Sequence, residues 1–130
     1  MVDAYIVSNL QESLSLTDEQ FVKTLPLVKR LLSDRRELAE ARRQALRELR
    51  QMLQSGSATE GKVADRLREL KGLENDEREK TKRDLEALDG ALTVLQQAKF
   101  RVMEVEIEQK IRELLNQARQ RRRPGEIPPP

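Results

Sequence analysis

The chain contains no cysteine, no histidine and no tryptophan, and its only aromatic residues are Tyr5, Phe21 and Phe100. Without Cys there is no disulfide framework, thiol nucleophile or thiolate metal site. Without His there is no imidazole base, and no nitrogen-rich site for zinc, nickel or copper. No G-x-G-x-x-G or G-x-x-x-x-G-K-[ST] run is present to cradle a nucleotide. No D-x-D-x-D-G loop is present to hold calcium. An enzymatic activity, a cofactor and a metal site are therefore not expected. Apolar runs are only a few residues long, too short to span a bilayer. Met1-Val2-Asp3 does not open a basic segment followed by an apolar one, so no secretory signal is read there. Few aromatic and β-branched residues argue against a β-sandwich or barrel.

What remains is a chain of 130 residues, 37% charged and 37% hydrophobic, with five Gly and five Pro. Such a length suits one domain. Arg, Glu, Leu and Ala in this proportion predict long helices and an all-α fold. The net charge is only +2, although the pI is about 9.1. A nucleic-acid partner is not expected from so small an excess, since such binding calls for a concentrated basic face.

Residues 2–14 predict a short amphipathic helix, with Ala4 or Tyr5, Ile6, Leu10 and Leu14 near one stripe. Thr17 followed by Gln20 predicts a capping box opening a long helix from about Asp18 to Gln54. Asp18 and Glu19 place negative charge at its positive end. Phe21, Leu25, Val28, Leu32, Ala39, Leu46, Leu49 and Leu53 predict its heptad-like seam. Pro26 predicts a kink near residues 22–26. Ser57-Ala58-Thr59-Glu60 predicts a second box and a helix from about Thr59 to Asp89, closed by Gly90. Val63, Leu67 and Leu70 form its stripe, while residues 74–84 carry no aliphatic side chain and predict an exposed middle. Thr93 and Gln96 predict a third box and a last helix to about Arg121. Its stripe is Phe100, Met103, Ile107, Ile111, Leu114 and Ala118. Short linkers predict antiparallel neighbours, hence a long helical hairpin flanked by a short N-terminal and a long C-terminal helix. Residues 1–122 are expected to form a single helical domain, and 123–130 a disordered Pro-rich tail. Stripes this wide on so thin a layer predict a second copy covering part of them.

Two of the boxes share more than their caps. Leu16-Thr17-Asp18-Glu19-Gln20 and Leu92-Thr93-Val94-Leu95-Gln96 are both L-T-x-x-Q, and each opens a long helix with an aromatic downstream. Either alone reads as an ordinary N-cap. As a pair they resemble the Spy/CpxP family, the LTxxQ-motif helical proteins of the bacterial envelope. Leu25-Pro26, Arg35-Arg36-Glu37-Leu38 and Ala45-Leu46-Arg47-Glu48-Leu49 look like a Pro-containing branch of it. The resemblance covers about residues 16–120 and departs at Val94-Leu95, where the family usually carries Pro and an acidic residue. It implies an antiparallel, cradle-shaped homodimer that binds unfolded or misfolded polypeptides in the periplasm without ATP. Metal-sensing relatives of the CnrX and ZraP kind use His-containing sites, which this chain lacks.

Between Lys29 and Arg50 lie eight basic and four acidic residues. Arg35, Arg36, Arg42, Arg43 and Arg47 fall along one side of the helix, beside Leu38, Leu46, Leu49 and Met52. One reading is a solvated face laced with ion pairs. The other is a client-binding strip: charge gathers an unfolded chain and apolar contact then holds it. Met52 serves in either, as core filler or as an adaptable contact. Two further functions fit the same pattern, a periplasmic sensor that binds a signalling partner and a cytosolic coiled-coil scaffold.

Overall fold

In the computed structural model, which describes residues 2–121, four helices follow one another: α1 (Val2–Leu14), α2 (Asp18–Ser55), α3 (Glu60–Gly90) and α4 (Val94–Arg121). No strand occurs among the described residues. The expected disordered tail lies outside them.

Each boundary has a local cause. Where α1 ends, Ser15 takes the left-handed conformation at φ 55°. Its amide reaches the Glu12 carbonyl at 3.2 Å and the Leu16 amide reaches Gln11 at 2.9 Å. These two bonds form a Schellman motif, and the residue after the reversal, Leu16, is buried. Gly56, at φ 73°, performs the same reversal after α2 without a Cβ penalty. Helix α2 continues through Pro26.

Two expectations change here, the cap of α3 and the seam of α2. The cap of α3 is Thr59, whose Oγ1 accepts from the Lys62 amide at 3.3 Å. Ser57, expected in that role, instead lies 2.7 Å from the Ser55 hydroxyl. As expected, α3 ends at Gly90, its last helical residue, and Ala91 caps the end with its amide on the Asp89 and Leu88 carbonyls. The seam of α2 also shifts. Its buried residues are Thr24, Val28, Leu31, Leu32, Leu38 and Ala45, whereas Ala39 is half-buried, Leu46 is 39% exposed and Leu53 is 60% exposed. Leu31 and Leu32 are both buried, but further along the helix the row of Leu38 and Ala45 lies inward while Ala39 and Leu46, one position later, turn outward.

Among the described residues the chain forms two compact units, one of residues 2–23 and 92–121 and the other of residues 24–91. In the first, α1 and α4 run antiparallel. The Lys99 ammonium stands 3.5 Å from the Ser15 hydroxyl near one end of α1, and the Lys110 ammonium sits 5.7 Å over the Tyr5 ring near the other. Its core is Ile6, Leu10, Leu14, Leu16, Leu92, Phe100, Met103 and Ile107. The stripe Ile6, Leu10, Leu14 has a strict four-residue spacing and leaves Ala4 and Tyr5 exposed. On α4 the expected stripe is only partly covered: Ile111 is half-buried, while Leu114 and Ala118 are exposed. The last turns of α4 extend beyond the first residues of α1, which explains that exposure.

The second unit is the hairpin of α3 with α2 from Thr24 onward. Its antiparallel register shows in ion pairs from Arg30 to Asp84 at 3.5 Å, Arg83 to Asp34 at 3.5 Å and Arg66 to Glu48 at 2.9 Å. Toward the connecting turn the packing thins. Leu49, Met52, Val63 and Leu70 are half-buried there, and Leu67 is 39% exposed.

Candidate functional site

The two L-T-x-x-Q motifs meet in the first unit. Both capping boxes are complete. Thr17 Oγ1 accepts from the Gln20 amide at 3.1 Å, and Gln20 Oε1 accepts from the Thr17 amide at 3.2 Å. Thr93 and Gln96 repeat the exchange at 3.2 and 3.0 Å. A Gln carboxamide has donors and a second lone pair to spare after this. Gln20 and Gln96 use them on each other: Nε2 of each donates to Oε1 of the other at 3.2 Å. Leu16 and Leu92, which precede the caps, are both buried. Gln96 is buried as well and Gln20 half-buried.

The amide pair joins residues 76 apart in sequence and ties the start of α2 to the start of α4. Two neighbouring side chains repeat the pattern. Gln11 Nε2 donates to the Leu16 carbonyl at 3.4 Å, and Gln97 Nε2 donates to the Leu92 carbonyl at 3.2 Å. Each motif leucine thus has its carbonyl held by a glutamine amide. Neither the Gln–Gln contact nor these braces were expected from the sequence. The capping signal specifies the N3 glutamine, but not what lies beyond its free lone pair.

The arginine strip is placed on the hairpin unit. Arg36, Arg42, Arg43 and Arg47 are exposed and Arg35 is half-buried. Arg43 and Arg47 converge on Glu40, at 2.7 and 3.3 Å. The hydrogen bond from Arg43 is the main cause holding the Glu40 carboxyl below its ordinary range, followed by the one from Arg47. Arg47 also donates to Gln44 Oε1 at 2.6 Å. Part of the strip is therefore an ordered network on an exposed face.

Its apolar members separate. Leu38 is 7% exposed and belongs to the hairpin core, so it offers no surface to a ligand. Leu46 lies open beside Arg42, Arg43 and Arg47. Half-buried Met52 lines a shallow hollow near the turn with Glu48, Gln51, Ser55, Ser57 and Arg66. The accessible strip is accordingly Arg36, Arg42, Arg43, Leu46 and Arg47, with Leu53 one turn past Leu49.

A third cluster was not expected. Residues 74–84 read as an exposed stretch, and residues 75–79 are exposed, but Asp84 is 3% exposed. Burial, then the hydrogen bond and charge of Asp34, push its carboxyl above the ordinary Asp range, against the attraction of Arg83 and Arg30. Among the described residues no group of three Asp or Glu side chains is placed to hold a metal, and no helix is long and apolar enough to cross a membrane.

Compared with protein-family models, curated proteins and solved structures, the chain matches none.

Proposed function

We propose that this protein is a Spy/CpxP-like binder of unfolded or misfolded polypeptides that works without ATP in the bacterial periplasm. The observation that carries the reading is the reciprocal amide pair of Gln20 and Gln96. It makes the two L-T-x-x-Q motifs one structural device, whereas two unrelated helix caps have no reason to meet. The exposed arginines beside Leu46 support capture of a chain that carries both acidic and apolar side chains. The chemistry required is binding alone, so the proposal includes no catalytic residue and no cofactor. It also includes a homodimer, supported by the uncovered apolar residues of α4.

The test is suppression of aggregation. A denatured client diluted into buffer without nucleotide stays in solution at substoichiometric to equimolar protein, as read by light scattering. Unchanged scattering at equimolar protein sinks the chaperone reading. The second reading, a regulatory module that binds a signalling partner, then takes its place, because a motif-built scaffold suits either role. Localisation is tested separately, by whether the native gene directs the protein to the periplasm. A protein found only in the cytosol favours the scaffold reading.

A further inference from the structure

The hairpin holds a pair of carboxylates that client binding does not use. Asp34 lies on α2 and Asp84 on α3, with side chains 20% and 2% exposed. One oxygen of each, Asp34 Oδ2 and Asp84 Oδ2, is buried without a hydrogen-bond donor. The charged groups acting on Asp84 are Asp34 and Arg30 from α2 and Arg83 from its own helix. Arg30 Nε stands 3.5 Å and Arg83 Nε 3.6 Å from Asp84 Oδ1, and an Arg83 terminal nitrogen stands 3.5 Å from Asp34 Oδ2. These are ion-pair distances, longer than the roughly 2.7–2.9 Å of a charge-assisted hydrogen bond. Both arginines also keep more than half of their side chains in solvent. They soften the repulsion but leave the buried oxygens without a donor. A single proton supplies one: a protonated carboxyl can donate its O–H to the carboxylate that shares Arg83 with it, and it removes one of two like charges.

We propose that Asp34 and Asp84 form a one-proton clamp between α2 and α3, closed at acidic pH by a proton taken from solvent and opened as that proton returns to solvent toward neutral pH. The direction follows from linkage. Burial foremost, and Asp34 next, raise the Asp84 carboxyl above its unfolded value. Between the unfolded and folded values the native state holds more protons than the unfolded state. The clamp's contribution is therefore complete below the ordinary Asp range and is lost as pH rises through the raised value. The hairpin becomes looser at neutral pH than at mildly acidic pH, at a level well away from its turn. A binding surface on the same hairpin would gain mobility as the clamp opens.

The experiment uses the full chain. Carbon-13 NMR follows the Asp84 carboxyl through a pH titration, and melting temperatures are measured at pH 5.0 and 7.5 for the parent, Asp84→Asn and Asp34→Asn. An Asn amide donates to the remaining carboxylate at every pH, so it mimics the closed clamp. The expected results are an Asp84 titration above the ordinary Asp range, and a gain in Tm on acidification that is larger in the parent than in the Asn variants. If one variant does not fold, the other and the titration decide. An Asp84 carboxyl titrating within or below the ordinary Asp range overturns the clamp. So does a folded Asn variant whose acid-side gain in Tm equals that of the parent.

Discussion

A few single residues decide where this chain bends. Thr17 and Thr93 each satisfy an amide that the helix leaves orphaned, and each is answered by a glutamine three residues on. Thr17→Ala and Thr93→Ala should each lower the unfolding free energy by about 0.5–2 kcal/mol in urea titration. Gln96→Ala should cost more than Thr93→Ala. It deletes the cap's second half and also strips Gln20 of its part-buried partner, and an unpaired buried amide costs about 1–3 kcal/mol. Equal losses would mean that the Gln pair adds nothing to the caps. Ser15 poses the opposite case. It sits in the left-handed region, where an L side chain is disfavoured by about 1–2 kcal/mol. Gly is at ease there but loses more chain entropy, about 0.5–1 kcal/mol. Ser15→Gly should therefore raise stability by a few tenths to about 1 kcal/mol, and a fall in Tm would refute the strain.

At the scale of the element, the arginine side of α2 must be divided before it is tested. Leu38 is core and Arg35 half-buried, so changes there confound binding with folding. Arg42, Arg43 and Arg47 are exposed and form the clean set. Replacing all three by Glu should weaken suppression of aggregation while the far-ultraviolet circular dichroism stays unchanged. Screening at physiological salt acts over about 8 Å, so salt should slow client capture in the parent and have less effect in the variant. A folded variant as active as the parent at low and high salt would leave the arginines as a solvated network. The Glu40 carboxyl marks that network: it is held below its ordinary range, mainly by the Arg43 hydrogen bond and then by Arg47. Whatever it adds to stability is present above the unfolded Glu value and is lost as pH falls through the folded one. That sign is opposite to that of Asp84.

At the scale of the whole molecule, the question is how much apolar surface the chain leaves uncovered. On α4, Val102, Val105, Leu114 and Leu115 are all between 51% and 55% exposed. Val94 and Leu95 at its start are more exposed still. Exposed apolar residues are ordinary when scattered, but six on one long helix invite a partner helix. Sedimentation at micromolar concentration should give a species of twice the 15.1 kDa chain mass. A Leu114→Ser, Leu115→Ser variant should move that equilibrium toward monomer without loss of helicity. A parent that sediments only as a monomer would remove the dimer from the proposed function.

The sequence by itself determined the four helices and most of their ends, because capping boxes, Gly56 and the 3.6-residue period are local signals carried by residues a few positions apart. It determined the α1 stripe for the same reason, since Ile6, Leu10 and Leu14 are its only regularly spaced aliphatics of full length. On α2 the spacing pointed to the row of Leu32, Ala39 and Leu46, one position away from the row the fold buries most deeply. The fold buries Leu31, Leu38 and Ala45 and leaves Leu46 exposed, so Leu38 moves from binding strip to core. Ser15 was not legible as a reversal, because a left-handed serine leaves no compositional mark where glycine would. Only the tertiary structure decided the two contacts of greatest consequence. Gln20 meets Gln96 where the starts of α2 and α4 come together, and Asp34 and Asp84 come to share Arg83 because α2 and α3 run antiparallel. A polar side chain reads as exposed until the fold supplies the partner that makes its burial tolerable.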